Sequence, residues 1–68
     1  MKLILTLIGR DSWSRPVYES DGQLYVDTDP CKDSAPHICT KNNNAFDGEP
    51  LDPVSADIEF VPGRDTWD

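Results

Sequence analysis

The clearest pattern along the chain is alternation. From Lys2 to Ile8, Leu3, Leu5 and Leu7 fall on one side of an extended backbone, and Ile4, Thr6 and Ile8 fall on the other. Both sides are apolar, which predicts a strand covered on both faces and central in its sheet. Gly9 ends the run. Arg10–Arg15 reads as a connection, because Pro16 confines the residue before it to extended geometry. The next signal is a hairpin: PVYE and QLYV flank Ser20-Asp21-Gly22. An Asp-Gly pair supplies the two positive-φ positions of a tight two-residue turn. With that turn, Tyr18 faces Tyr25 and Val17 faces Val26. The tyrosines then share one face, and Leu24 joins the valines on the other.

Beyond the hairpin the pattern weakens. Asp29–Pro36 is loop, Ile38-Cys39-Thr40 is a candidate short strand, and Asn42-Asn43-Asn44 is a turn cluster. Asp47–Pro53 carries one glycine and two prolines, which argues against a regular element. Asp57–Val61 alternates again, with Ile58 and Phe60 facing inward, and Pro62-Gly63 stops it. No helical period is sustained beyond a single turn around Val54-Ser55-Ala56. The prediction is a mostly β chain: a small antiparallel sheet of about four strands with long loops and little or no helix. Its strands are Lys2–Ile8, Pro16–Glu19, Gln23–Asp27 and Asp57–Val61. A lone hairpin is marginal in water, so the terminal strands are expected to close onto Val17, Leu24 and Val26.

With 68 residues there is room for one small acidic β-rich domain, residues 1–68, and for a thin core without a deep substrate cavity. Thirteen acidic residues stand against six basic ones, giving a net charge of −7. The few Lys and Arg are scattered, which disfavours direct nucleic-acid binding and binding to an anionic membrane. The acidity serves solubility, or it imitates nucleic acid in the basic groove of another protein. The LILTLI run after Lys2 lacks the length and the small-residue cleavage site of a signal peptide. The expected location is therefore the cytoplasm.

Candidate chemistry is sparse. Cys31, His37 and Cys39 form a C-x5-H-x-C array, one ligand short of a closed zinc site unless a carboxylate such as Asp33 completes it. The cysteines are expected to be reduced and metal-free, and no cofactor is expected. The acids of DTDPCKD depart from a calcium loop at Pro30-Cys31. His37 is the single histidine, and there is no nucleophile elbow, phosphate-cradling glycine loop or HExxH. The expectation is a non-enzyme.

Two stretches, GRDSWSRPVYESDGQLYVDTD (Gly9–Asp29) and NAFDGEP (Asn44–Pro50), carry a resemblance. Together they resemble a small, uncharacterised domain family of phages and mobile elements, of the type associated with large polyvalent proteins. The resemblance covers about half of the chain and leaves out Cys31–Asn43. It implies a mobile element in a bacterial cytoplasm and no particular activity. In that context the chain reads as an interaction module that binds a bacterial or element-encoded protein. The alternatives are an acidic inhibitor of a host defence enzyme and a small metal-binding domain.

Arg10, Trp13 and Arg15 on one connection, and Asp47 and Glu49 on another, are the candidate partner-binding residues. The two connections are expected to pack together, with Arg10 or Arg15 paired to Asp47 or Glu49 and Trp13 covering the join. That reading makes the five residues a loop staple. The alternative leaves Trp13 exposed as an interface anchor.

Overall fold

A computed structural model describes residues 2–67; Met1 and Asp68 lie outside the described residues. Six strands form one mixed sheet: β1 (Lys2–Arg10), β2 (Pro16–Ser20), β3 (Gln23–Asp27), β4 (Ile38–Lys41), β5 (Pro50–Pro53) and β6 (Asp57–Val61). Their order is β5-β4-β3-β2-β1-β6. There is no α-helix among the described residues, only a 3-10 turn at Asn42–Asn44.

The hairpin forms as its sequence dictates. Asp21 and Gly22 take φ of 53° and 82°, and the register sets Val17 opposite Val26 and Tyr18 opposite Tyr25. Ile38–Lys41 adds to β3 as an antiparallel strand. Four expectations need correction. The sheet has six strands rather than four, and it is not wholly antiparallel, since β6 runs parallel to β1. Pro50–Pro53 is a strand despite its prolines, because it lies at the edge of the sheet, where a missing N–H is tolerated. No helical turn forms at Val54-Ser55-Ala56. Instead Val54 donates its N–H to the Ile38 carbonyl and packs on the core.

The connection from β5 to β6 reveals the shape of the sheet. Pro53 to Asp57 reaches at most about 14 Å. In a flat sheet of six strands the edges would lie roughly 24 Å apart. The sheet must therefore curl, and the short crossing spans its concave side.

That concave side is the tyrosine face, not the valine face that the sequence pattern favoured. Leu5, Tyr18 and Ile38 form the buried cluster, with Leu3, Leu7, Tyr25, Val54, Ile58 and Phe60 packed around it. The rings of Tyr18 and Phe60 lie 5.1 Å apart in a tilted arrangement. Val17 and Val26 are also fully buried, but on the opposite face. The Phe46 ring, from the 42–49 loop, lies against Gly9, whose φ of 153° is open essentially only to glycine. The tail after β6 returns over the tyrosine face, where the Asp65 N–H donates to Tyr18 Oη at 3.0 Å.

β1 is correspondingly one-sided. Leu5 is fully buried, whereas Ile4 and Ile8 are 50% and 48% exposed. The expectation of a strand covered on both faces fails, since the side chains on the convex side of β1 stay exposed while Leu3, Leu5 and Leu7 are buried or half-buried. We expect Leu5→Ala to cost about 2–4 kcal/mol in urea unfolding, the usual range for a buried leucine. Ile4→Ala, its neighbour on the convex side, should cost less than about 1 kcal/mol. Equal losses would mean that the two faces of β1 have been assigned wrongly.

Candidate functional site

The turn that joins β1 to β2 is built around one carboxylate. Asp11 Oδ1 accepts the backbone N–H of Trp13 at 3.0 Å and of Arg15 at 2.9 Å. The backbone closes the same turn, since Asp11 N–H donates to the Arg15 carbonyl and Ser14 N–H donates to the Asp11 carbonyl. Aspartate suits the position because its short side chain can bond to its own backbone a few residues on. Ser14 is forced to a φ of 62°, an uncommon conformation for a residue with a Cβ.

The other oxygen of Asp11 meets two cations. Lys41 Nζ donates to Oδ2 at 2.7 Å with both side chains fully buried, and also to the Gly48 carbonyl at 3.1 Å. Arg15 Nε donates to the same Oδ2 at 3.1 Å. Its Nη2 lies 3.1 Å from that oxygen without the alignment of a hydrogen bond and is left buried with no hydrogen-bond acceptor. The Arg15 guanidinium lies over the Trp13 ring, 4.7 Å from its centre, in a cation–π contact. Burial alone would push the Asp11 carboxyl upward. The hydrogen bonds from Lys41 and from the Arg15 backbone and side chain outweigh it and hold the group below the ordinary carboxylate range.

The two motif stretches do come together, but through other partners than the expected ones. Asp47 Oδ1 accepts the backbone N–H of Ser12 at 2.9 Å, and Lys41 ties Asp11 to the 42–49 loop. Arg15 pairs with Asp11 of its own turn. Arg10 grips Asp65 of the tail through two hydrogen bonds of 2.8 and 3.0 Å and also donates to the Thr66 carbonyl. Glu49 keeps an exposed side chain and contributes its backbone carbonyl, which accepts from Asn42. Trp13 does not cover the join: it is 51% exposed.

Lys41, Arg64 and Trp67 join the network without having been singled out in the sequence. Lys41 was findable, since alternation in Ile38-Cys39-Thr40-Lys41 sets it on the same face as buried Cys39. Arg64 gathers the 29–34 loop, donating to the carbonyls of Ser34, Asp29 and Cys31 at 2.7–3.0 Å and facing Asp27 at 3.4 Å. Trp67 donates its Nε1–H to the Ser14 carbonyl at 2.7 Å, and its backbone N–H bonds to the Pro30 carbonyl. Nothing local in the sequence marks these tail contacts.

The third candidate cluster has different chemistry. His37 Nδ1 lies 2.7 Å from Thr28 Oγ1 and 3.8 Å from Cys39 Sγ. Burial pushes the Cys39 thiol up, and the carboxylates of Asp27 and Asp52 add to the effect, the opposite of what a nucleophile or a metal ligand needs. Among the described residues no three His, Cys, Asp or Glu side chains group closely enough to hold a metal ion. Among the same residues no helix is long and apolar enough to cross a membrane.

The Asp11 network predicts an acid-sensitive fold. Its pKa is lower folded than unfolded, so its stabilisation is complete above the unfolded value of about 4. It is then lost as pH falls through the depressed folded value. Asp11→Asn strands the Lys41 ammonium and should cost about 3–5 kcal/mol near neutral pH. The variant should also lose part of the acid limb of a stability–pH profile measured by chemical denaturation. An unchanged limb would show that other carboxylates govern it.

No family model matches the chain, and no similar protein is found among curated sequences or among solved structures.

Proposed function

We propose that this domain is a non-enzymatic protein-interaction module whose anchor is the Asp11–Arg15 turn. The observation that carries the reading is a pair of tryptophans. Trp13 and Trp67 are 51% and 50% exposed, and both are fixed to the same turn, one through its backbone N–H on Asp11 and the other through its indole on Ser14. Tryptophan and arginine dominate the residues that bind partners most strongly, and a pre-ordered side chain loses little entropy on binding. Arg15 beneath Trp13 and Arg10 beside the tail supply that pairing here. The resemblance of the two motif stretches supports a mobile-element setting, with a bacterial or element-encoded protein as partner in the cytoplasm.

A second reading has its own observation. The basic residues Lys2, Arg10, Arg15, Lys41 and Arg64 pair with carboxylates of the same chain. Glu19, Asp21, Asp33, Glu49, Asp52 and Asp57 remain exposed. Such a surface favours an acidic inhibitor that occupies the groove of a nucleic-acid-binding enzyme.

The experiment is affinity capture from the native host with the wild type and Trp13→Ala in parallel. We expect the variant to lose the captured partner while keeping its melting temperature within about 3 °C, since an exposed side chain contributes little to stability. A large fall in melting temperature with the partner retained would reduce Trp13 to a loop staple. Salt separates the two readings. Binding through carboxylates should weaken steeply as the screening length shrinks to about 8 Å at physiological strength, whereas an aromatic anchor should be nearly indifferent.

A further inference from the structure

We infer that the convex face of β1 is a second docking surface, and that its occupant is a cationic amphipathic helix of a partner protein. The inference rests on reading the domain as a protein-interaction module, but it concerns a different surface from the tryptophan turn.

Four apolar side chains carry it. Ile4 and Ile8 are 50% and 48% exposed, Phe46 40% and Val61 37%. The alternating exposure of β1 continues through the irregularity between Leu7 and Gly9, so Ile4 and Ile8 both look outward, and the register sets Val61 on the same face as Ile4. Val61 pairs with Thr6, which lies between the two isoleucines on β1, and Phe46 lies against Gly9 at the end of the row. Scattered exposed apolar residues are ordinary; several gathered on neighbouring strands of one face are a recognition feature.

The charges around the row select the occupant. Glu59 pairs with Ile4 in the register and Glu19 pairs with Thr6, so both carboxylates share the convex face, and both are exposed. Asp57 stands at the start of the same face of β6. Lys2 holds one of these groups, at 2.9 Å from Glu59, in a half-exposed pair that a competing cation can replace. An apolar stripe flanked by carboxylates is complementary to an apolar stripe flanked by Lys and Arg. A second copy of this chain fits poorly, because apposed faces would bring Glu19 and Glu59 toward their own counterparts in a chain of net charge −7.

The length of the row matches a short helix. Ile4 to Ile8 spans about 13 Å along an extended strand. A helix covers that distance in two to three turns, at about 1.5 Å per residue, which presents apolar residues at i, i+4 and i+8.

A synthetic leucine–lysine amphipathic helical peptide of three to four turns tests the inference on the intact 68-residue chain. The control is a peptide in which glutamate replaces every lysine. Amide chemical shifts of the labelled protein report where each binds. We expect shifts centred on β1 and β6 with the lysine peptide and none with the glutamate peptide. Ile8→Ser and the pair Glu19→Lys, Glu59→Lys each change only exposed side chains, and each should weaken binding at least tenfold. The inference is overturned if the lysine peptide does not bind at millimolar concentration, if its shifts map elsewhere, or if Ile8→Ser leaves affinity unchanged. The separate reading of the tryptophan turn survives any of these results, because it stands or falls on partner capture by Trp13→Ala.

Discussion

The carboxylate of Asp11 is the constraint on which the rest of this structure depends. Four donors converge on its two oxygens: two backbone N–H groups, a buried ammonium and a guanidinium. Removing such a group from water is costly, and only full pairing offsets it. Because the pairing ties the β1–β2 turn to β4 and, through Lys41, to the 42–49 loop, the carboxylate does for this domain what a larger core does elsewhere. It fixes the β1–β2 turn, it orients Trp13 and Arg15 on that turn, and through Lys41 it holds down the loop that carries Phe46 and Asp47. Hydrophobic packing alone is thin in a chain of this length. Charged side chains that reach into backbone carbonyls complete it, as Arg64 does for the 29–34 loop and Asn44 does for the hairpin. Asn44 accepts from Leu24 N–H and donates to the Gly22 carbonyl.

How much of this was legible in the sequence depended on the range of the interaction. The hairpin was fully legible because Asp21-Gly22 and the flanking alternation are local and mutually consistent. Register across β2 and β3 followed from the turn alone. The parallel placement of β6 beside β1 was not legible, since alternation gives the faces of a strand and says nothing about its neighbours or direction. The edge strand at Pro50–Pro53 was hidden by a rule that is sound for central strands and lapses at an edge. The inward face was misjudged for a related reason: valines and tyrosines alternate with similar apolarity, and curvature decides which of them lines the concave side. That curvature follows from the three-residue link between β5 and β6, a feature visible only once both are known to be strands at opposite edges.

The candidate site shows the same division. The expectation that Gly9–Asp29 and Asn44–Pro50 meet rested on their residue types, and the two stretches do touch. The partners were misassigned because arginine was taken as the bridging group. Arg10 and Arg15 instead serve a tail carboxylate and the turn's own aspartate. A lysine does the bridging, from a strand position where burial would ordinarily forbid it. Trp67 escaped notice because its role comes from a contact 53 residues away along the chain. Long-range polar contacts of this kind leave no local pattern.

The interior also explains the surface. A chain with 13 acidic and six basic residues could scatter its few cations over the outside and soften the imbalance there. This one does the reverse with three of them. Lys41 is fully buried, and Arg15 and Arg64 are largely buried, each drawn inward by a carboxylate or a set of carbonyls that folding must satisfy. The cations that stabilise the loops are thereby taken from the surface, so the outside is more uniformly acidic than the composition alone implies. Arg10 is the partial exception, half-exposed where it grips Asp65 and the Thr66 carbonyl. The stitching of a small core and the polarity of the surface are consequences of one allocation of charge. Selection on either one constrains the other.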